Sequence, residues 1–409
     1  MTRAQSIATL RLSAGVLVVG VLLTGCTATG TGAGSGGAAG GLSGVGRLPA
    51  PASAWPSAQF DARHSSATTA TGPQTANLRW LRDLGGSVTP GPVIGVDGSI
   101  LAATNAGVLH ALDPETGEDR WVFDGGSGYG SDLSTSPAVL GDGIILWPGP
   151  RSALFALDRS GRPIWTEKFA GDVLSPAIAG RNRVYVADLT GHLAALEVTA
   201  TGHRRVWTLD LGGVDYASPS VGADGTIYTA IEKQLIAVRD TGVAGVIRWR
   251  FETTKRIEVS SAVSESGIVV LGTNNDHEYG VRSDGSRAWQ LPIHDYTYSS
   301  STVRPDGTAY FADNSGRVRT VDSSTGRVIR TIAPVAPAKE HAWTSIVVDA
   351  RADTYWGSMT GTVYGYDGNG NRLFALAVDS GVSSYPALGA DGTLYVGTVG
   401  GLLYAIGAS

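Results

Sequence analysis

The sequence predicts an all-β chain folded as an eight-bladed β-propeller, and three observations carry that expectation. An aromatic closes a Gly-x-x-x-aromatic turn about every 42 residues, at Trp121, Trp165, Trp249, Trp289 and Phe374, with Trp207 one residue later in its turn and Arg330 standing in the sixth. Asp-Gly pairs punctuate the repeat at Asp97-Gly98, Asp142-Gly143, Asp224-Gly225, Asp306-Gly307 and Asp391-Gly392. The repeat is also split: Trp80 stands ahead of the first full copy, and the last copy stops at Ser409 before reaching an aromatic of its own.

Each copy reads as four short strands. The first holds a Ser-Pro-Ala-Val type segment, as in Ser136 to Val139, Ser175 to Ile178, Ser218 to Val221 and Tyr385 to Leu388, and its small residues suit a crowded innermost strand. The Asp-Gly turn follows, tolerating the positive φ of a tight hairpin. Alternating β-formers such as Thr226-Ile227-Tyr228 and Thr393-Leu394-Tyr395-Val396 make the second strand. Val108 to Asp113 and Gly401 to Ile406 exemplify the third, and Arg120-Trp121-Val122-Phe123 the fourth.

The last copy lacks a fourth strand, while residues 78–84 have the fourth-strand pattern with no strands before them. Pairing the two closes the ring and removes both open edges. The blades are then expected near 87–124, 133–169, 173–211, 216–252, 258–292, 298–333, 342–378, and 383–407 completed by 78–84.

Residues 1–25 form a separate object. Arg3 and Arg11 precede an uncharged run from Ala14 to Leu23 that has the length of a signal-peptide core and is too short to span a bilayer. Leu23-Thr24-Gly25-Cys26 directly after it resembles the lipobox of bacterial lipoproteins, which implies lipidation of Cys26 and attachment to a membrane. Residues 26–54 are Gly, Ala, Thr, Ser and Pro with the single charge of Arg47, a flexible tether whose reach is about 30 Å as a random coil. Cys26 is the one cysteine of the chain, so no disulfide within the protein is possible. Losing two Arg with residues 1–25 takes the 31 basic residues to 29 against 36 acidic ones, so the net charge moves from −5 to −7. With no basic stretch, nucleic acid is not an expected partner.

Ala111-Leu112-Asp113-Pro114-Glu115-Thr116-Gly117-Glu118-Asp119-Arg120-Trp121 resembles the tryptophan-docking repeat of the pyrroloquinoline-quinone (PQQ) dehydrogenase-like propellers. Trp55-Pro56 and Asp61 to Ser65 resemble the lead-in of such propellers, and the likeness covers residues 55–409. It implies that Trp80, Trp121, Trp165, Trp207, Trp249, Trp289 and Phe374 pack between neighbouring blades as structural docking residues and do not form a sugar-stacking row. The same repeats occur in quinoprotein dehydrogenases and in an outer-membrane assembly lipoprotein, so the resemblance specifies the fold more than the function.

Two functions follow from it. A PQQ-dependent alcohol or sugar dehydrogenase would place the quinone on the ring axis with Ca²⁺, and its larger members set it against a vicinal-cysteine disulfide that this chain cannot make. A binding scaffold needs no cofactor, and none is expected here. Asn274 to Glu278 gathers donors in one segment, but without calcium-loop spacing it reads as a polar solvated turn, and the seven His give no metal-ligand pair.

The connections from the fourth strand of one blade to the first of the next gather at one mouth of the ring. Most are short and Gly-rich. Four carry charged and aromatic residues: Asp215 and Tyr216; Lys255, Arg256 and Glu258; His294, Asp295, Tyr296 and Tyr298; His341 and Trp343. Clustered on blades four to seven, they form a candidate patch for a protein, peptide or glycan. Tyr216, Tyr298 and Trp343 could equally fill blade interfaces at the start of inner strands. The functional expectation is a monomeric, lipid-anchored binding or scaffold protein of a bacterial cell envelope, on the outer face of the cytoplasmic membrane, or on the periplasmic side or outer membrane of a host with two membranes.

Overall fold

A computed structural model describes residues 54–127, 135–214, 216–274, 277–293, 295–332 and 344–407. The signal segment, Cys26 and nearly all of the tether lie outside the described residues. Alternating β-formers between tight turns give eight four-stranded antiparallel sheets, each running from a short inner strand to a longer outer one. Blade 1 is Val93–Ile94, Ile100–Ala103, Val108–Leu112 and Asp119–Asp124, and blades 2 to 7 repeat it. Blade 8 takes Ala387–Leu388, Leu394–Gly397 and Leu402–Ile406 from the end of the chain and its outer strand, Leu78–Asp83, from the front. That strand pairs antiparallel with Leu402–Ile406, with Trp80 opposite Ala405 and Asp83 opposite Leu402, so the expected ring closure is present.

The inner strands are shorter than the sequence suggests. Strand pairing begins after the Ser-Pro pair, at Ala138–Val139, Ala177–Ala179 and Ser220–Val221, because proline cannot donate to a ladder. The serines ahead of them join blades: the amides of Ser136, Ser218 and Ser260 donate to the hydroxyls of Ser175, Ser260 and Ser300 at 2.9, 3.0 and 3.1 Å. Small size and a hydroxyl are both required at that radius.

The docking residues follow one rule. Each outer strand carries a β-bulge just before its aromatic, and the aromatic lies opposite a small residue of the third strand: Trp121 opposite Ala111, Trp165 opposite Ala156, Trp207 opposite Ala195, Trp249 opposite Ala237, Trp289 opposite Gly280 and Phe374 opposite Gly365. Second-strand tyrosines of the same blade pack against several of these rings, as Tyr228 does on Trp249 with centroids 5.8 Å apart.

The indole then reaches the next blade. Trp80 donates to the carbonyl of Pro114, Trp121 to Arg159, Trp249 to Ser283 and Trp289 to Ser323, all at 2.7 to 2.9 Å, and Trp207 donates to the Asp240 carboxylate. The ring sits over the turn glycine of that blade, leaving no room for a side chain; a Cβ on Gly326 would lie 2.6 Å from Trp289. Trp165 meets a longer hairpin and stacks on His203 instead, with ring centroids 3.9 Å apart. Arg330 keeps the logic without a ring, its guanidinium donating to the Gly368 carbonyl of blade 7. Phe374 packs in the core shared with blade 8, whose third and fourth strands are Leu402–Ile406 and Leu78–Asp83, and its ring carries no donor.

Trp55 to Ser65 read in the sequence only as a lead-in, and the fold gives them and the following residues up to Gly72 a position. Their carbonyls accept from the second residue of five inner strands: Trp55 from Ile94, Pro56 from Val139, Ala62 from Val221, Arg63 from Val263 and Ser66 from Val348, at 2.6 to 2.9 Å. These residues lie where inner strands enter their first turns, so the segment caps that mouth of the ring. Four of its non-glycine residues, Gln59, Phe60, His64 and Ser66, have positive φ. Backbone in that region persists when its surroundings over-determine it, which five strand-edge hydrogen bonds do.

Candidate functional site

Capping one mouth leaves the opposite one, lined by the fourth-to-first connections and the second-to-third turns. On blades 4 to 6 the residues singled out there come together. Tyr216 ends a connection with its ring exposed, and the Arg256 guanidinium lies over it, 5.0 Å from the centroid. Arg256 is held in that pose by two carboxylates, Glu232 at 3.3 Å and Glu258 at 3.6 Å, and its carbonyl accepts from the Asn274 amide. Tyr296 and Tyr298 continue the patch with nearly parallel rings, 5° between planes and centroids 6.2 Å apart. Partial burial raises the Tyr298 phenol above its ordinary pKa, and the negative charge of Glu258 adds to this.

Tyr216 and Tyr296 are 41% and 44% exposed, so neither fills a blade interface, whereas Tyr298 is half-buried. The Asp295 carboxylate accepts from the Tyr296 amide. Lys255 is exposed beside Arg256, its carbonyl taken by the Thr253 hydroxyl. Asp215, His294, His341 and Trp343 lie outside the described residues.

Glu232 was missed in the sequence. It sits in the two-residue hairpin between Ile231 and Gln234 with φ of 53°, a position that looks like any polar turn until the ring brings it beside blade 5. The segment 274–278 requires a correction. His277 and Glu278 are not in a solvated turn; they begin the third strand of blade 5, His277–Val281. Glu278 is buried and meets the Arg319 guanidinium of blade 6 at 2.6 Å. Burial raises its pKa to about 8 while Arg319 opposes the shift. The short contact indicates an ion pair and the raised pKa a neutral acid; at neutral pH the geometry, with Arg319 also donating to the Pro292 carbonyl, favours the pair. Among the described residues no group of three or more His, Cys, Asp or Glu is arranged to hold a metal.

The axis is where the quinone of the resembling enzymes would lie. In this chain Gln59 and His64 of the lead-in are buried near it, Gln59 donating to Ser345 and His64 lying 3.1 Å from the Ser261 carbonyl. Burial raises the Tyr385 phenol above its ordinary pKa, and Ser300 and Gln59 oppose the shift. The surrounding positions are serines and threonines, and no vicinal cysteine pair exists to support a quinone ring. This donor set does not fit a Ca²⁺-bound quinone in the arrangement of the larger dehydrogenases.

Comparison with known proteins agrees with the fold and with the repeat. The family model of the outer membrane protein assembly factor BamB matches residues 105–211 and 198–355. Protein Rv3035 of Mycobacterium tuberculosis is 24% identical over 395 residues, covering 84% of this chain and 90% of that one. Of solved structures, quinohemoprotein alcohol dehydrogenase from Comamonas testosteroni superimposes with a TM-score of 0.70 at 14% identity, over 87% of this chain and 81% of that one. BamB from Moraxella catarrhalis does so with a TM-score of 0.63 at 12% identity, over 81% of this chain and 100% of that one. At such identities the two structures share the fold with this chain.

Proposed function

We propose, for a chain that belongs to the outer membrane protein assembly factor BamB family of PQQ-like propellers, that it is a non-catalytic binding scaffold of the cell envelope, tethered through lipid on Cys26 and engaging an envelope protein or peptide through the rim of blades 4 to 6. The observation that carries this reading is the grouping at the uncapped mouth of Tyr216, Arg256 and Glu258, joined by a cation–π contact and an ion pair, with the stacked Tyr296 and Tyr298 of the next blade, whose phenol feels the Glu258 charge. Exposed aromatic anchors with a fixed guanidinium match the residue types that dominate protein recognition, and holding Arg256 between two carboxylates reduces the entropy lost on binding. The lead-in supports the same orientation, since it takes up the strand edges of the other mouth. A glycan is the other occupant that stacked tyrosines suit, and the experiment separates the two.

The test is crosslinking in cells of the source bacterium followed by purification of the full-length protein. A specific envelope protein recovered with the wild type is expected to be lost with the Arg256→Ala/Tyr298→Ala double variant at unchanged thermal stability. Its undiminished recovery with the folded double variant would remove the patch from consideration, and recovery of polysaccharide alone would favour the glycan. Incubation of the same preparation with PQQ and Ca²⁺ is expected to give no dye reduction with alcohols or sugars; quinone-dependent turnover would replace the scaffold reading with a dehydrogenase.

A further inference from the structure

The docking series breaks once, at Arg330, and the break leaves space. Where an indole would fill the junction, the thinner arginine stem packs on Gly370, whose Cβ position is 3.4 Å from Arg330 Cδ, and a cavity of about 160 Å³ remains between blades 6 and 7. It is lined by Arg304, Tyr310, Arg330, Thr354 and the edge of the Asp367 to Gly368 turn. Two guanidinia therefore border one small hollow. Arg304 is steadied by Asp306 at 3.5 Å, and its charge opposes the rise that burial gives the Tyr310 phenol. Arg330 is fixed at one nitrogen by the Gly368 carbonyl, and among the described residues it has no carboxylate within ion-pairing distance. Asp367 is itself in the lining, and its carboxylate accepts from the amides of Asn369 and Asn371 and from the Asn371 side chain, while the buried Asp353 carboxylate accepts from the Gly368 amide. Thr354 is a further lining residue, 1% exposed, and among the described residues its hydroxyl has no hydrogen-bond partner.

A buried unpaired hydroxyl is costly, and paired guanidinia are the side chains best suited to oxyanions. We infer that the junction of blades 6 and 7 is a binding site for a small oxyanion group, a carboxylate, phosphate or sulfate, held by Arg304 and Arg330 with the Thr354 hydroxyl as a further donor. The site lies away from the blade 4 to 6 rim and does not depend on the scaffold reading.

Thermal unfolding of the purified full-length protein tests it, with acetate, phosphate and sulfate compared against chloride at equal ionic strength. Sulfate and phosphate stabilise most proteins by exclusion, so the informative quantity is the difference between wild type and variants. Arg330→Trp restores the docking series and fills the hollow; Arg304→Gln removes one charge and leaves the packing alone. The expected result is an anion-dependent rise in Tm in the wild type that is reduced in both variants, with at least about a tenfold weaker apparent affinity in Arg304→Gln. An acetylated dipeptide with a free carboxylate is expected to act where its amide does not, if the group is carried on a peptide end; action of acetate and phosphate alone would make the ligand a free anion. Identical shifts in wild type and Arg304→Gln, or none in the wild type, would overturn the site whether or not Arg330→Trp folds.

Discussion

At the scale of single residues, the tryptophans act as fasteners. Trp80, Trp207 and Trp289 combine burial, an indole hydrogen bond to the next blade and a fit over a turn glycine, so removal of any of them affects two blades. Trp289 is 7% exposed and meets all three conditions. Trp289→Ala is expected to cost about 3 to 5 kcal/mol in urea unfolding. Trp289→Phe keeps most of the apolar contact and strands the Ser323 carbonyl, for about 1 kcal/mol. Equal costs for the two would mean that the hydrogen bond rather than packing holds the junction. The docking positions were legible because the Gly-x-x-x-aromatic spacing is local. Their acceptors were not, because Trp121 meets the Arg159 carbonyl through ring geometry that no local spacing contains.

At the scale of elements, the lead-in is the least repetitive part of the domain and among the most constrained. His64 is buried there, and desolvation lowers its pKa from 6.5 to about 4 despite the opposing charge of Asp61. The native state therefore binds fewer protons than the unfolded chain between those values, so the contribution of neutral His64 is fully present above pH 6.5 and is lost as the pH falls towards 4. That amounts to about 3 kcal/mol at most. Comparing the stability of wild type with His64→Gln from pH 7.5 to 4 isolates the histidine. The difference between the two is expected to change only below pH 6.5, and parallel profiles would show that the lead-in opens before His64 is protonated. Sequence reading recognised this segment by resemblance, but with neither periodicity nor a long apolar run it gave no sign of where it docks.

At the scale of the molecule, the ring is held by one antiparallel pairing between the front and the end of the domain, Leu78–Asp83 with Leu402–Ile406. Opening it would expose two strand edges, which are templates for association. Removing residues 54–84 is expected to give a protein that unfolds without cooperativity and scatters light as oligomers. Removing residues 54–72 alone deprives five inner-strand amides of their acceptors but leaves the ring closed, and is expected to give a less stable monomer. Monomeric, cooperative behaviour of the larger deletion would show that closure is not what confers solubility.

The all-β class, the eight blades, the closing strand and the docking positions are all determined by the sequence, because each rests on local spacing: a glycine that permits a turn, an aromatic four residues later, a pattern with period two. The candidate sites depend on contacts between blades, and those only the tertiary structure decided. Tyr216, Glu232, Arg256, Glu258 and Tyr298 become neighbours when curvature brings three blades to one mouth. Glu278 changed from a turn residue to a buried partner of Arg319 because the next blade covers it. Arg330 stands in the sequence as one irregular member of a series; the cavity it leaves exists only where blade 7 packs against blade 6. The separation has a physical cause: except at the closing strand of blade 8, hydrogen bonds within a blade join segments a few residues apart, whereas contacts between blades join residues tens to hundreds of positions apart, at distances set by the closed ring.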